Sequence, residues 1–268
     1  MTGWTHIILV GASIVQNAQR RGIICLTIPE LEEALKNNLE DRDHLINKLR
    51  RFVSSDPRGM SAEINTCLQL LLDGYERRKQ QWVYLLSSDT EVGRLCAEVL
   101  KGYLTSLSRE QLEGRMGVYD PIEIEGLGDP EGFSDGLANL YAAIINHIRY
   151  HKRLGNIVFI HATGGFKPET AIALPAANSP RGGAPVFYIH EHFQKVIRIP
   201  AIPVRFRGWK KFEGLMSALA SIGETRKQPL IESFGEETVE EAIRLGWVDE
   251  EGGHLRLTEM GKLLWRKL

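Results

Sequence analysis

The sequence predicts an α/β fold in which a mostly parallel sheet is covered by helices on both faces, with a smaller domain after it. Three observations lead there. Short apolar runs alternate with helical stretches through the first two hundred residues, as at Ile7-Ile8-Leu9-Val10 and Trp82-Val83-Tyr84-Leu85-Leu86. These runs are continuous rather than alternating, which is how strands buried on both faces read. Past Trp209 the pattern changes to helices, a short hairpin and one more helix.

In order along the chain, His6 to Val10 is the first strand, and Gly11-Ala12-Ser13 turns it. Apolar residues at helical spacing predict one helix from about Pro29 to Val53. Ser61-Ala62-Glu63 predicts the N-cap of the next helix, with an acid in its first turn. Trp82 to Leu86 is a strand, and Ser87-Ser88-Asp89-Thr90 opens a helix to about Leu104. A third strand runs from Val118 to Ile124, interrupted by Pro121, and a helix spans Ser134 to about Lys152. Asn156 to Ile160 is a strand, and the turn from His161 to Lys167 leads to a helix at Pro168, a residue suited to a first helical position. Ala184–Ile189 and Lys195–Ile199 predict an antiparallel edge hairpin. These elements make a Rossmann-like domain over residues 1–200. Helices at about 212–222 and 236–245 follow, then two short strands joined by Gly252-Gly253 and a helix capped by Thr258. That order predicts a winged-helix domain over residues 209–268.

The chain of 268 residues is 43% hydrophobic and 25% charged, enough for one large and one small domain. A net charge of −1 argues against a general nucleic-acid coat protein, but not against a small anion in a local basic pocket. Cys25, Cys67 and Cys96 lie in apolar stretches without CxxC spacing, so buried reduced thiols are expected. The start does not read as a signal peptide, and no apolar run approaches the roughly 20 residues of a membrane span. The expected location is cytoplasmic, without a membrane partner.

Ligands of open parallel sheets bind at the carboxyl ends of the strands. Three loops there carry small and hydroxyl residues: Gly11-Ala12-Ser13, Ser87-Ser88-Asp89-Thr90 and Thr163-Gly164-Gly165-Phe166-Lys167. Glycines admit a ligand close to the backbone, and N–H groups at a helix start favour an anion. Lys167 adds a full positive charge, so the chemistry points to a phosphate-bearing ligand. Neither the P-loop nor the GxGxxG fingerprint is present.

These stretches, with Asn17, Ser61-Ala62-Glu63-Ile64-Asn65 and Ile124-Glu125-Gly126-Leu127, resemble the CARF domain, the CRISPR-associated Rossmann fold. The resemblance is greatest to the small ring-nuclease branch and covers about residues 5–200. It implies a homodimer that binds a cyclic oligoadenylate, most simply cyclic tetra-adenylate, across its two-fold axis. It also implies Ser13 and Lys167 as catalytic residues of a metal-independent ring nuclease that switches off type III CRISPR signalling. The substrate's own 2′-OH would be the nucleophile, and no cofactor is expected. Ligand contacts are expected from Gly11, Ala12, Asn17, Ser87, Ser88, Asp89, Thr163, Gly164, Gly165 and Phe166. No strong general base is evident, so slow turnover is expected. The alternatives are a ligand-responsive transcription regulator or non-catalytic sensor, and an unrelated nucleotide-binding enzyme.

Other residues favour plainer roles. His161 reads as a structural histidine at a strand end, and His190-Glu191-His192 lacks a third metal ligand. Arg149, His151, Lys152 and Arg153 read as a solvated helix end. Arg20 and Arg21 follow the first loop and could reach phosphates, whereas Arg205, Arg207, Lys210 and Lys211 read as a polar hinge. From Trp209 onward there are nine Lys and Arg against eleven Asp and Glu. Four of those acids, Glu236, Glu237, Glu240 and Glu241, sit on the helix in the recognition position. DNA phosphates would repel that face, so dimerisation or a lid is preferred to DNA binding.

Overall fold

In a computed structural model of the protein, which describes residues 2–37, 42–165, 167–179, 183–190, 195–200 and 208–267, the first apolar run becomes strand β1 (Trp4–Leu9). Every position of β1 is buried. It lies between β2 (Gln81–Ser88) and β5 (Ile157–His161), parallel to both. Two short strands, β3 (Met116–Val118) and β4 (Ile122–Ile124), pair with successive parts of β2. Pro121 therefore splits one predicted strand into two. On the other side come β6 (Val186–His190), parallel to β5, and β7 (Lys195–Ile199), antiparallel to β6. The seven strands run in the order β3-β2-β1-β5-β6-β7, with β4 also on β2.

Side chains alternate across a strand, so β1 feeds two cores. Ile8 joins the cluster built with α1 (Ser13–Arg20), α2 (Ile28–Lys36), α3 (Arg42–Ser55), α4 (Pro57–Met60), α5 (Ala62–Glu76) and α6 (Glu91–Gln111). Ile7 and Leu9 face the opposite cluster, built with α7 (Phe133–Arg153) and α8 (Lys167–Ala177). Helices thus cover both faces of the sheet. Burying each of these aliphatic side chains contributes roughly 1.5–3 kcal/mol.

The single helix expected from Pro29 to Val53 is two helices. Thr27 and Glu30 form a reciprocal capping box at the start of α2. Asn37 ends it as C-cap, a residue whose side chain competes with helical backbone bonds. The helix expected to stop near Leu104 runs on to Gln111 because Leu104, Leu107 and Leu112 continue the buried stripe. Cys67 and Cys96 are buried as expected, but Cys25 is exposed. His151, expected at a solvated helix end, is buried: its Nε2 lies 3.0 Å from Tyr84 Oη and its Nδ1 3.1 Å from Asn156 Nδ2.

The chain divides into residues 1–204 and 205–268. Within the second unit, α9 (Trp209–Ile222), β8 (Glu224–Arg226), α10 (Lys227–Phe234) and α11 (Glu236–Arg244) precede β9 (Val248–Glu251), β10 (His254–Leu257) and α12 (Glu259–Lys267). The three strands form an antiparallel sheet in the order β8-β10-β9. Gly252 and Gly253 both take positive φ, as a two-residue hairpin turn of this kind requires. Phe212, Met216, Leu219, Val239 and Leu255 share its core. Sequence periodicity missed β8 and α10, whose three and eight residues are too short to establish a period.

A polar thread crosses the first unit's core. Gln81 Nε2 donates to Leu71 O at 2.9 Å, which turns Gln81 Oε1 toward His6 Nε2 at 3.1 Å. Burial keeps both rings neutral, so His6 donates from Nε2 and accepts at Nδ1 from His161 Nε2, 3.0 Å away. Burial pushes His6 down to about 4 and His161 well below 6.5, the latter also through its neighbour His6. A His with a lowered folded pKa takes its proton in the unfolded chain first. Stability is unaffected well above pH 6.5 and declines as pH falls through 6.5 toward 4. For His6 alone the loss on going from well above pH 6.5 to pH 5 is about 2 kcal/mol. Urea unfolding at a series of pH values should show this decline; a flat profile from pH 7 to 5 would contradict the neutral thread.

Candidate functional site

The chain leaves β1 toward β2 and later returns to the other side of β1 through β5. Order reverses between β1 and β5, so a crevice opens beyond their carboxyl ends. The loops at its mouth are Gly11-Ala12 after β1 and the Thr163-Gly164-Gly165 turn after β5. They pack backbone against backbone. A Cβ on Gly11 would run into Gly165 N, and one on Gly164 would lie 2.5 Å from Glu63 Oε1 and 2.8 Å from Gly11 N. Gly165 takes φ +87°, and a Cβ there would strike Glu169 Oε2. No other residue type fits this turn without moving it.

Glu63, in the first turn of α5, organises the crevice although it is 1% exposed. Its Oε1 accepts Gly11 N–H at 2.9 Å. Its Oε2 accepts the hydroxyls of Ser13 at 2.5 Å and Ser61 at 2.8 Å. Ser61 also caps α5 by accepting Ile64 N–H at 3.2 Å. Ser13 Oγ accepts Ala62 N–H at 3.1 Å. One carboxylate therefore ties β1, α1 and α5 together. The sequence marked Glu63 as an acid near a cap, within one of the stretches that resemble the CARF domain; its fifty-residue reach to Ser13 is set by topology and has no local signal.

The cleft above this hub has a volume of about 920 Å³. Of the residues expected at the site, Gly11, Ala12, Ser13 and Asn17 line it from the first loop and helix. Ser88, Thr163, Gly164 and Gly165 line it from the other loops. Thr163 Oγ1 is held by Ile189 N–H at 2.9 Å and lies 2.6 Å from Thr66 Oγ1. Asn17 Nδ2 donates to Met60 O at 3.0 Å, so part of its polarity goes to fastening α1 to α4.

Three expected residues lie elsewhere. Ser87 is buried and does not line the cleft. Asp89 accepts Gly126 N–H at 2.8 Å and Gly128 N–H at 2.6 Å, clamping the loop after β4. Lys167 stands exposed at the first position of α8 and is not part of the lining of this chain's cleft. Phe166, Glu191, His192, Arg205 and Arg207 lie outside the described residues. His161 belongs to the buried thread rather than to the lining.

Arg20, Lys36 and Arg58 bring positive charge to the cleft; Arg21 is not among its lining residues. The start of α6 is a natural anion seat, and Glu32 of α2 occupies it. Its two oxygens accept the N–H groups of Glu91 and Val92, each at 2.9 Å. Glu32 was not anticipated either, since nothing in an amphipathic helix pattern marks which acid will reach another helix. Among the described residues, no group of three or more His, Cys, Asp or Glu side chains is placed to hold a metal ion, and no helix is long and apolar enough to cross a membrane.

Residues 58–202, more than half of the chain, match the model of a family described as CRISPR-associated protein (Cas_APE2256). The matched stretch includes Glu63, both buried cysteines and the whole Thr163-Gly164-Gly165 turn.

The glycine contacts give a direct test. Gly164→Ala should lower stability by about 2–3 kcal/mol, the scale of overpacking in a closed site. It should also disturb the Gly11–Glu63 bond. Unfolding free energy checks the first effect; a change under about 0.5 kcal/mol would mean that the turn has room to spare.

Proposed function

Since the chain belongs to this CRISPR-associated family, we propose that it binds a cyclic oligoadenylate between two copies and cleaves the ring without a metal. Cyclic tetra-adenylate is the first choice of ligand. The observation that carries the reading is the crevice at the sheet's switch point, where Ser13 is fixed beside two glycine turns that bring bare backbone to the cleft. A phosphodiester needs that: close approach, hydrogen-bonding groups and nearby cations, here Arg20 and Arg58.

An isologous dimer presents each loop twice, which suits a ring of even symmetry. In that arrangement the exposed Lys167 of each chain reaches the shared ligand rather than its own cleft. The ribose 2′-oxygen attacks the adjacent phosphorus, the bond to the 5′-oxygen breaks, and a 2′,3′-cyclic phosphate remains. Bringing the 2′-OH in line accounts for much of the acceleration. Lys167 stabilises charge on the phosphoryl oxygens. The products are linear oligoadenylates, and their formation ends a type III CRISPR signal.

A ligand-responsive regulator is the second reading. It is favoured by the helices and three-stranded sheet of residues 209–267, which we read as a winged helix. The acids of α11 weigh against DNA. Lys211 pairs with Glu237 at 2.8 Å and Glu241 at 2.7 Å, and Lys227 with Glu240 at 2.6 Å, so basic groups that could meet phosphates are already engaged. Dimerisation is the better role for this unit.

Purified protein in EDTA, in excess over labelled cyclic tetra-adenylate, should convert it to linear products within a single turnover. An intact ring after long incubation would remove the enzyme reading, and a ligand-dependent gel shift on promoter DNA would favour the regulator. Lys167→Ala should slow cleavage by about 100-fold, the scale of a lost charge-stabilising donor. Unchanged single-turnover rates would leave Lys167 outside the mechanism.

A further inference from the structure

The hydrogen bonds around Ser13 fix where its proton is. Ser13 Oγ accepts Ala62 N–H at 3.1 Å and spends its own proton on Glu63 Oε2 at 2.5 Å. A hydroxyl has one proton and two lone pairs. What Ser13 has left for the cleft, which it lines, is one lone pair. It is therefore an acceptor toward any ligand, not a donor. Glu63 is acceptor-only as a carboxylate, and the groups around it are all donors: Gly11 N–H, the Ser13 hydroxyl and the Ser61 hydroxyl. It is 1% exposed and lines the cleft beside Ser13.

We propose that Glu63 and Ser13 form a proton relay that activates the ribose 2′-OH of the bound ring. The inference rests on the ring-cleavage reading and supplies the base that the sequence did not reveal. The 2′-OH donates to the free lone pair of Ser13. As the 2′-oxygen forms its bond to phosphorus, its proton passes to Ser13 Oγ and the Ser13 proton passes to Glu63. The bond from phosphorus to the 5′-oxygen breaks, and that oxygen takes a proton from water. Glu63 then returns its proton to solvent through Ser13, so the reaction is a transesterification with no net gain or loss of atoms. Ser13 touches the substrate. Glu63 acts through it and is a positioning and proton-holding residue.

Glu63 also holds the Gly11 loop, so a test must separate that task from the relay. Glu63→Gln keeps a carbonyl oxygen for Gly11 N–H but replaces the acceptor facing Ser13 with an NH2 group. The expected result, with cyclic tetra-adenylate as the probe, is ring affinity within about threefold of wild type and a single-turnover rate lower by about 100-fold or more, the scale of a lost general base. The double variant Ser13→Ala with Glu63→Gln should be no slower than the slower single variant, because residues acting as a unit are not additive. Glu63→Asp, a shorter base, should recover part of the rate. Cleavage within threefold of wild type, additive losses, or equal losses of affinity and rate would each overturn the relay. A wild-type protein that binds the ring and never cuts it would overturn the enzyme reading and the relay with it, whereas wild-type cleavage with an unaffected Glu63→Gln would overturn the relay alone.

Discussion

A buried carboxylate must be surrounded by donors, or its desolvation is uncompensated. Glu63 meets that demand by drawing in Gly11 N–H and the hydroxyls of Ser13 and Ser61. The rest of the site depends on this. The carboxylate fixes the turn after β1 against the start of α5 and leaves so little space that the turn after β5 must be glycine at 164. Backbone thus lines the crevice where side chains would otherwise fill it. The local requirement of one acid and the global reversal of strand order meet at the same place.

Charge in the cleft is arranged by similar logic. Glu32 sits where an anion would bind at the start of α6, which anchors α2 beside the opening. The surrounding groups are themselves paired: Arg42 bridges Glu91 and Glu98 at 2.9 and 3.1 Å, and Arg94 bridges Glu91 and Glu123. Partly exposed pairs near the surface contribute little stability each. Within the cleft itself Arg20, Lys36 and Arg58 stand beside Glu32, Glu63 and Glu169, and Lys36 Nζ lies 3.6 Å from Glu32 Oε1.

Much of this was legible in the sequence, for definite reasons. Continuous apolar runs gave β1, β2 and β5, and the small-residue loops after them gave the Gly11-Ala12-Ser13, Ser88 and Thr163-Gly164-Gly165 parts of the lining. Pro121 was seen as an interruption, and the structure shows two strands on β2 rather than one. The break at Asn37 was missed because Leu31 and Leu35 on one side, and Leu49, Phe52 and Val53 on the other, each continue a helical stripe. Glu63, Glu32 and the His6–Gln81–His161 thread were beyond local reading: each is a polar group whose partner lies 50 or more residues away. Asp89 has a structural task the sequence did not signal: a loop acid beside serines reads as a ligand contact, and its carboxylate clamps Gly126 and Gly128.

Backbone hydrogen exchange read by mass spectrometry, with and without cyclic tetra-adenylate, is the most direct test of where the ligand sits. The account predicts protection of the segments around Gly11–Asn17, Ser61–Asn65 and Thr163–Lys167, saturating at one ring per two chains. Protection confined to residues 209–268, or no protection at saturating ring, would contradict it.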